Sequence, residues 1–223
     1  MDETKLIVVI NGKGGVGKDT LCDFIAKRHR VMNVSAITKV KEIAKIAGWD
    51  GEKDEKGRKL LSDMKRAFVE YGDLPTKYLL ENVNDFLNSE DEFLFVHIRE
   101  VEEIKKFVTI VENVCHTVTL LVKRDTGVEC WGNKSDDDVE NYHYDYIYNN
   151  DLPLEKAELD FASFFEANIG LHYMERLMNI DKKHKDDPSY VPKVFIGVDA
   201  GKGPDYQVTN LTYAPSTAVF HDN

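Results

Sequence analysis

Residues 10–24 read INGKGGVGKDTLCDF. Gly12, Gly17 and Lys18 follow the spacing G-x-x-x-x-G-K, which in phosphate-binding loops is completed by Ser or Thr. Here the next residue is Asp19. The chemistry open to such a stretch is polyphosphate binding. Glycines reach backbone angles closed to other residues, so successive N–H groups can turn inward around phosphate oxygens. A helix that begins at Lys18 adds its positive end, and the Lys18 ammonium reaches the outer phosphates. The candidate phosphate ligands are Gly12, Lys13, Gly14, Gly15, Val16, Gly17, Lys18, Asp19 and Thr20.

Asp19 takes the place of the hydroxyl that ordinarily binds Mg²⁺. Thr20 offers a hydroxyl one position on. The Asp19 carboxylate can itself bind Mg²⁺ or hold one of its waters, since that ion takes oxygen ligands and keeps several waters. A carboxylate does not face a phosphate closely without a cation between them. Asp19 and Thr20 are therefore the candidate metal ligands, with Mg²⁺ the expected ion. The plainer reading of Asp19 is a first-turn acid favoured by the helix dipole. Asp23 follows four residues later on the same face and reads equally well as solvated surface.

The elements that must position these groups are legible from periodicity. KLIVVI, residues 5–10, is an apolar run of branched side chains and reads as a buried parallel strand. A helix is expected from 18 to about 30, a short strand over 31–36, and a helix over 39–47 ended by Gly48. Residues 50–58 read as loop. Beyond them Leu60, Leu61, Met64, Ala67, Phe68 and Tyr71 share one helical face, with Arg58, Lys59, Lys65 and Arg66 pointing elsewhere. A helix over 76–87 follows Pro75. Strands are expected at 93–98, 117–123 and 144–149, and helices at 100–111 and 154–168, with a polar loop over 124–143. This alternation predicts an α/β fold with a mostly parallel sheet and helices on both faces; with the glycine loop between the first strand and helix, the expected fold is a P-loop NTPase three-layer sandwich. Residues 1–168 form the expected core. Residues 169–223 read as a helix extension followed by a β-hairpin tail, KVFIGVDAG and YQVTNLTYA split by Gly-Pro-Asp. Within the tail, GVDAGKGPD reads as a hairpin turn.

The totals narrow the function classes. The 223 residues carry a net charge of −11, which argues against a general nucleic-acid coat. Residues 1–48 hold nine Lys/Arg against five Asp/Glu, a balance of +4 that leaves −15 for the rest. The basic stretch is the one with the glycine loop, which suits an anionic small molecule. No apolar run approaches the ~20 residues needed to cross a membrane, and the N-terminus reads as strand rather than signal. Cys22, Cys115 and Cys130 are too widely spaced for a disulfide framework or a metal knuckle, so the cytoplasm is the expected compartment.

Several stretches resemble one family. GKDTLCDFIAK is similar to the start of phage-type deoxynucleoside monophosphate kinases, whose loop reads G-K-D-T followed by D-F. SAITKVKEIAK (35–45), GEKDEKGRKLLSDM (51–64), FVHIREVEEIKKF (95–107) and YDYIYNNDLPLEKAEL (144–159) resemble that family's later segments in the same order. The resemblance covers about residues 1–168. It implies ATP-dependent transfer of a phosphoryl group to a (deoxy)nucleoside monophosphate, assisted by Mg²⁺, in the cytoplasm, or in the host cytoplasm for a phage-encoded chain. It also implies roles for Lys41, Arg58, Arg66 and Arg99 at the acceptor phosphate or the transferring group, with Lys18, Asp19 and Arg99 as the catalytic set. Arginine suits this work because its planar fork pairs with two phosphate oxygens at once. Arg99 sits at the carboxyl end of a strand, where ligands bind in open parallel sheets. Glu100 and Glu103 either orient Arg99 or begin a helix. Arg124 opens the polar loop as a candidate lid arginine over ATP.

One position departs from the family pattern. Its D-x-R segment has an acid where this chain has His97. Trp49 and Trp131 could stack on a base or serve packing. Two further readings stand beside the kinase. KGGVGK also matches the signature-lysine loop of partition and septum-placement ATPases, although those require Ser/Thr at position 19. A non-catalytic nucleotide-binding relative of the kinase is the other. A nucleoside monophosphate substrate is the expected partner and a homodimer is carried as open. No membrane and no general nucleic-acid partner is expected.

Overall fold

KLIVVI lies within a longer strand, β1 (Asp2–Asn11), whose residues Leu6 to Ile10 are fully buried. Burial on both faces explains why the run is continuously apolar rather than alternating. The computed structural model describes residues 2–52, 54–125, 127 and 138–189. In chain order β1 is followed by α1 (Lys18–Ala26), β2 (Val31–Ser35), α2 (Thr38–Ile46), α3 (Glu55–Gly72) and α4 (Leu74–Asn88). Then come β3 (Phe93–His97), α5 (Val101–Val111), β4 (Cys115–Lys123), β5 (Tyr146–Asn149), α6 (Leu154–Phe165) and α7 (Leu171–His184).

The five strands form one parallel sheet in the order β2-β3-β1-β4-β5. Ile10 of β1 pairs with His97 of β3 and Leu120 of β4, so β1 and β3 end nearly level at the carboxyl end of the sheet while β4 runs on to Lys123. On one face Ile7, Val9, Leu94 and Val96 pack with Leu79, Val83 and Phe86 of α4 and with Ile104 and Phe107 of α5. On the other, Phe93 and Phe95 meet Phe165 of α6 at ring separations of 5.2 and 5.9 Å. The result is three layers with the glycine loop at the carboxyl end of the sheet. It is the sandwich of the P-loop NTPases.

Several boundaries differ from the sequence expectation. The segment expected as loop over 50–58 already holds the first turn of α3, because Asp54 caps it by accepting from Gly57 N–H at 2.7 Å. Asp73, in the left-handed conformation at φ 55°, turns the chain from α3 into α4, and Pro75 sits inside the first turn. Helix α1 stops at Ala26 rather than near Arg30: the Arg28 and His29 amides both close on the Ile25 carbonyl. His29 is then held by Glu166 at 2.7 Å and Glu92 at 3.4 Å. Helix α6 ends at Phe165 and continues as a π-helical turn over Glu166–Gly170. A smaller cluster, Val40, Ala44 and Leu61 with Trp49, Met64 and Phe68, joins α2 to α3. Trp49 is therefore a packing residue, its indole donating to Glu52 O at 3.0 Å.

The chain divides into two compact units, Met1–Asn168 and Ile169–Asn223. In the second, α7 carries Tyr173, Leu177 and Ile180 on one face. The expected hairpin, Trp131 and Cys130 lie outside the described residues. Among those described, no helix is long and apolar enough to cross a membrane, and Cys22 and Cys115 are free and buried.

Candidate active site

The loop is built on buried asparagines at two strand ends. Asn11, fully buried at the end of β1, donates to Arg99 O at 3.0 Å and to the Tyr144 hydroxyl at 2.7 Å, and accepts from Gly12 N–H at 2.8 Å. Tyr144 passes the chain on to Val139 O at 2.8 Å. Burial pushes the Tyr144 phenol up to about 12, so it stays a neutral donor. Asn150, just past β5, donates to Val16 O at 2.8 Å, while its own N–H reaches Lys123 O at 2.7 Å. Its Oδ1 is buried without a hydrogen-bond partner among the described residues.

Two glycines are required by what lies against them. A Cβ on Gly12, at φ 147°, would stand 2.3 Å from Val122 O, and one on Gly17, at φ 91°, would stand 2.7 Å from Asn150 Nδ2. At Gly15, φ 79°, a Cβ would meet nothing within 4 Å, so here the backbone conformation alone favours glycine. Val16 points inward and is buried. The Lys18 ammonium folds over the loop, donating to Gly12 O at 2.6 Å and Lys13 O at 2.9 Å. Lys13 lies 3.6 Å from Glu140, which also accepts from Lys123 at 2.5 Å. Lys123, then Lys13, hold the Glu140 carboxyl below the usual carboxylate range.

Asp19 and Thr20 face different sides of α1. Thr20 lines a narrow cleft with Gly17, Phe24, Arg124, Asn150 and Leu152. Asp19 is 93% exposed and turns toward the end of β3, with Oδ1 3.7 Å from His97 Nδ1. The other His97 nitrogen, Nε2, is 3.7 Å from Cys22 Sγ. Burial pulls the His97 imidazole down to about 4. Asp19 opposes this, and Lys18, Arg99 and Lys41 add to it, so the ring is neutral near pH 7. Burial, then the charges of Asp19 and Asp23, keep the Cys22 thiol protonated.

Three cationic candidates lie within electrostatic reach of this one ring. Lys18 at the start of α1, Arg99 after β3 and Lys41 on α2 all act on His97. Arg58 is exposed in the first turn of α3. Arg66 pairs with Asp63 at 3.0 Å on an exposed face. Lys65, expected to point outward, is instead largely buried and donates to Glu100 at 2.8 Å and Glu103 at 2.7 Å, tying α3 to α5. Asn11, Tyr144, Glu140 and Asn150 were not singled out from sequence. The available signal was a strand-like run leading into asparagine at both β1 and β5.

A glycine loop joining the central strand of a parallel sheet to a helix, its lysine across the mouth, defines a phosphate-binding fold of the P-loop class. No family model matches the chain, and no curated protein matches it by sequence. Among solved structures it is similar to a tunicamycin resistance protein from Deinococcus radiodurans, at 7% identity over 71% of this chain and 94% of that one, TM-score 0.45. It is similar to shikimate kinase from Bacteroides thetaiotaomicron, at 14% over 73% and 97%, TM-score 0.36. A gluconokinase from Sinorhizobium meliloti gives 13% over 78% and 99%, TM-score 0.41. At these identities the likeness is one of fold outline and brings no activity with it.

Proposed function

We propose that the protein transfers a phosphoryl group from ATP to a nucleoside monophosphate, giving the diphosphate, with Mg²⁺. The observation that carries this reading is that Lys18, Arg99 and Lys41, from three separate elements, all lie within electrostatic reach of His97 at the end of β3. Phosphates cradled by Gly12–Lys18 would have cations on the side away from the Thr20–Arg124 cleft. An ATPase needs no such second cationic wall; a transferase does, for the acceptor phosphate. Phosphoryl transfer asks the protein mainly for position and charge, which this arrangement supplies without a covalent intermediate.

In this reading the loop amides and Lys18 bind the ATP phosphates, and the cleft lined by Thr20, Arg124 and Asn150 borders the nucleoside. Arg99 and Lys41 take the acceptor phosphate, with Arg58 and Arg66 as outer cations on α3. The choice of a nucleoside monophosphate as acceptor rests on the sequence resemblance. Among the described residues no group of three or more His, Cys, Asp or Glu could hold a metal. The ion would therefore rest on Asp19 and on phosphate and water oxygens, a donor set that suits Mg²⁺; Thr20, expected to share it, faces the cleft on another side of α1. Bound there, Mg²⁺ would offset charge on the phosphates.

The test is acceptor-dependent ADP production with ATP and Mg²⁺ across all ribo- and deoxyribonucleoside monophosphates. The expected result is ADP release with one or a few of them. ADP release that ignores the acceptor, or none with any acceptor, would sink the proposal.

A further inference from the structure

Strands β1 and β3 pair only as far as Ile10 and His97, while β1 stays paired with β4 through Asn11 and Leu121. Arg99 therefore lies beyond the last paired residue of its own strand. The Asn11 side chain takes over where that ladder stops. It is fully buried. Its Nδ2 donates to Arg99 O at 3.0 Å, and its Oδ1 accepts from Gly12 N–H at 2.8 Å. The second Nδ2 hydrogen goes to the Tyr144 hydroxyl at 2.7 Å. All three distances are those of formed hydrogen bonds. A carboxamide buried this deeply is costly unless its polar atoms are met. It also supplies donors and an acceptor from one rigid plane, which a carboxylate of the same size does not. The two ends it holds lie on opposite sides of the proposed transfer. Gly12 opens the glycine loop, and its carbonyl is one resting partner of Lys18. Arg99 is the cation assigned to the acceptor phosphate.

From this arrangement we infer that Asn11 is a positioning residue that fixes the separation between the glycine loop and Arg99, an assignment that rests on the reading of Arg99 as the acceptor-phosphate cation and deepens it. Phosphoryl transfer needs the attacking and leaving oxygens held in line, and a displacement of about 1 Å can cost about a hundredfold in rate. Tying Gly12 and the Arg99 backbone to one planar group removes the play that two separate anchors would leave. The Tyr144 limb serves a different end. Its hydroxyl donates to Val139 O at 2.8 Å, next to Glu140, and so fastens the flank of the loop beside Lys13. The Arg99 limb is the one that joins donor side to acceptor side.

The experiment has two arms. The first separates the limbs with Asn11→Asp and Tyr144→Phe. In Asn11→Asp the carboxylate still accepts from Gly12 N–H, and from the Tyr144 hydroxyl once that turns, but it has nothing to donate to Arg99 O. Tyr144→Phe keeps the Arg99 limb. Turnover is counted per nucleotide site, titrated by calorimetry with ADP and Mg²⁺, so that a loss of folded protein does not register as a loss of rate. Asn11→Asp should lower kcat by about 10- to 100-fold with both KM values within about threefold of wild type, the mark of lost position rather than lost binding. Tyr144→Phe should lower kcat far less. Equal losses in the two variants, or an unchanged kcat in Asn11→Asp, would overturn the assignment. The second arm reads the ¹³C shift of the Arg99 carbonyl in the full-length protein with no acceptor present. ADP with Mg²⁺ should move it in wild type, because the loop pulls on Asn11, and should move it much less in Asn11→Asp. A wild-type carbonyl that ignores the nucleotide overturns the link without any variant, and so does an equal response in both proteins. If no nucleoside monophosphate supports ADP production, the kinase reading fails by itself, while the carbonyl shift still decides the link.

Discussion

Lys18 spends the unliganded state bonded to the carbonyls of Gly12 and Lys13, across the mouth of its own loop. A phosphate arriving there exchanges two neutral acceptors for an anionic one, so the ammonium gains an opposite charge as well as a hydrogen bond. Lys18→Ala should therefore leave the fold intact, since both carbonyls can bond to water. It should lower turnover by a factor of about 10² to 10³, the ~3–4 kcal/mol expected for losing one transition-state donor. Steady-state ADP release, set beside an unchanged circular dichroism melt, checks both halves. Arg99 makes the complementary case. Its exposed side chain stands at the end of β3 while its carbonyl is pinned by Asn11. The backbone is thus fixed while the side chain reaches solvent. Arg99→Lys keeps the charge but loses the planar fork. The acceptor KM should rise about tenfold with the ATP KM unchanged; if instead both hold at wild-type values, Arg99 is not at the acceptor phosphate.

At the scale of elements, the glycine loop depends on two strands remote in sequence. Gly12→Ala would drive a methyl group into the Val122 carbonyl of β4, 2.3 Å away, in a conformation that side chains rarely adopt. Gly15→Ala meets nothing and bears the conformational strain alone. The first should cost about 2–4 kcal/mol and the second about 1, so thermal melts of the two variants should separate by several degrees. The opposite end of the sheet has its own fastening. There His29 lies edge-on to Phe93 at 5.0 Å and between Glu166 and Glu92. Burial lowers its pKa, but Glu166 and then Glu92 raise it further, to about 9. Because the folded value lies above the ordinary 6.5, the charged ring stabilises the fold fully below pH 6.5 and loses that contribution as pH climbs through 9. Linkage sets a ceiling of about 3 kcal/mol, and the part-exposed Glu166 brings it to about 1–2. Urea unfolding of wild type and His29→Gln should give stability curves that converge as pH rises from 6 to 9.5. Parallel curves would mean that the clamp carries no proton-linked stability. The apolar runs foretold the strands, because a buried strand is written in its own residues. Neither the early end of α1 nor the clamp could be read that way, for Glu166 lies 137 residues from His29.

At the scale of the whole molecule, the same division explains which parts of the site were legible. The glycine loop is local, and its spacing alone located Lys18 and Asp19. The place of Arg99 just past β3 was legible because a strand end is a position that sequence can mark. The burial of Lys65 between Glu100 and Glu103 was not, since a helical face has no sign of its partner until α3 meets α5. Nor was the Asn150 bond to Val16, which closes across 134 residues. Every residue given a role here, from Asn11 to Asn150, falls within the unit Met1–Asn168, as does Ala157 at the far wall of the cleft. A chain ending at Asn168 is therefore expected to bind nucleotide as the full chain does. A ligand that binds only the folded state at a hundred times its Kd adds about 2.7 kcal/mol to stability, roughly 5–10 °C in Tm for a unit of this size. ATP with Mg²⁺ should raise the melting temperature of residues 1–168 by the same increment as in the full-length protein. An equal increment with a lower starting Tm would assign residues 169–223 a part in stability and none in binding. A truncated chain that folds, by circular dichroism, yet shows no ligand-induced rise would mean that the nucleotide site draws on the second unit, and that the division of labour argued from the loop is wrong.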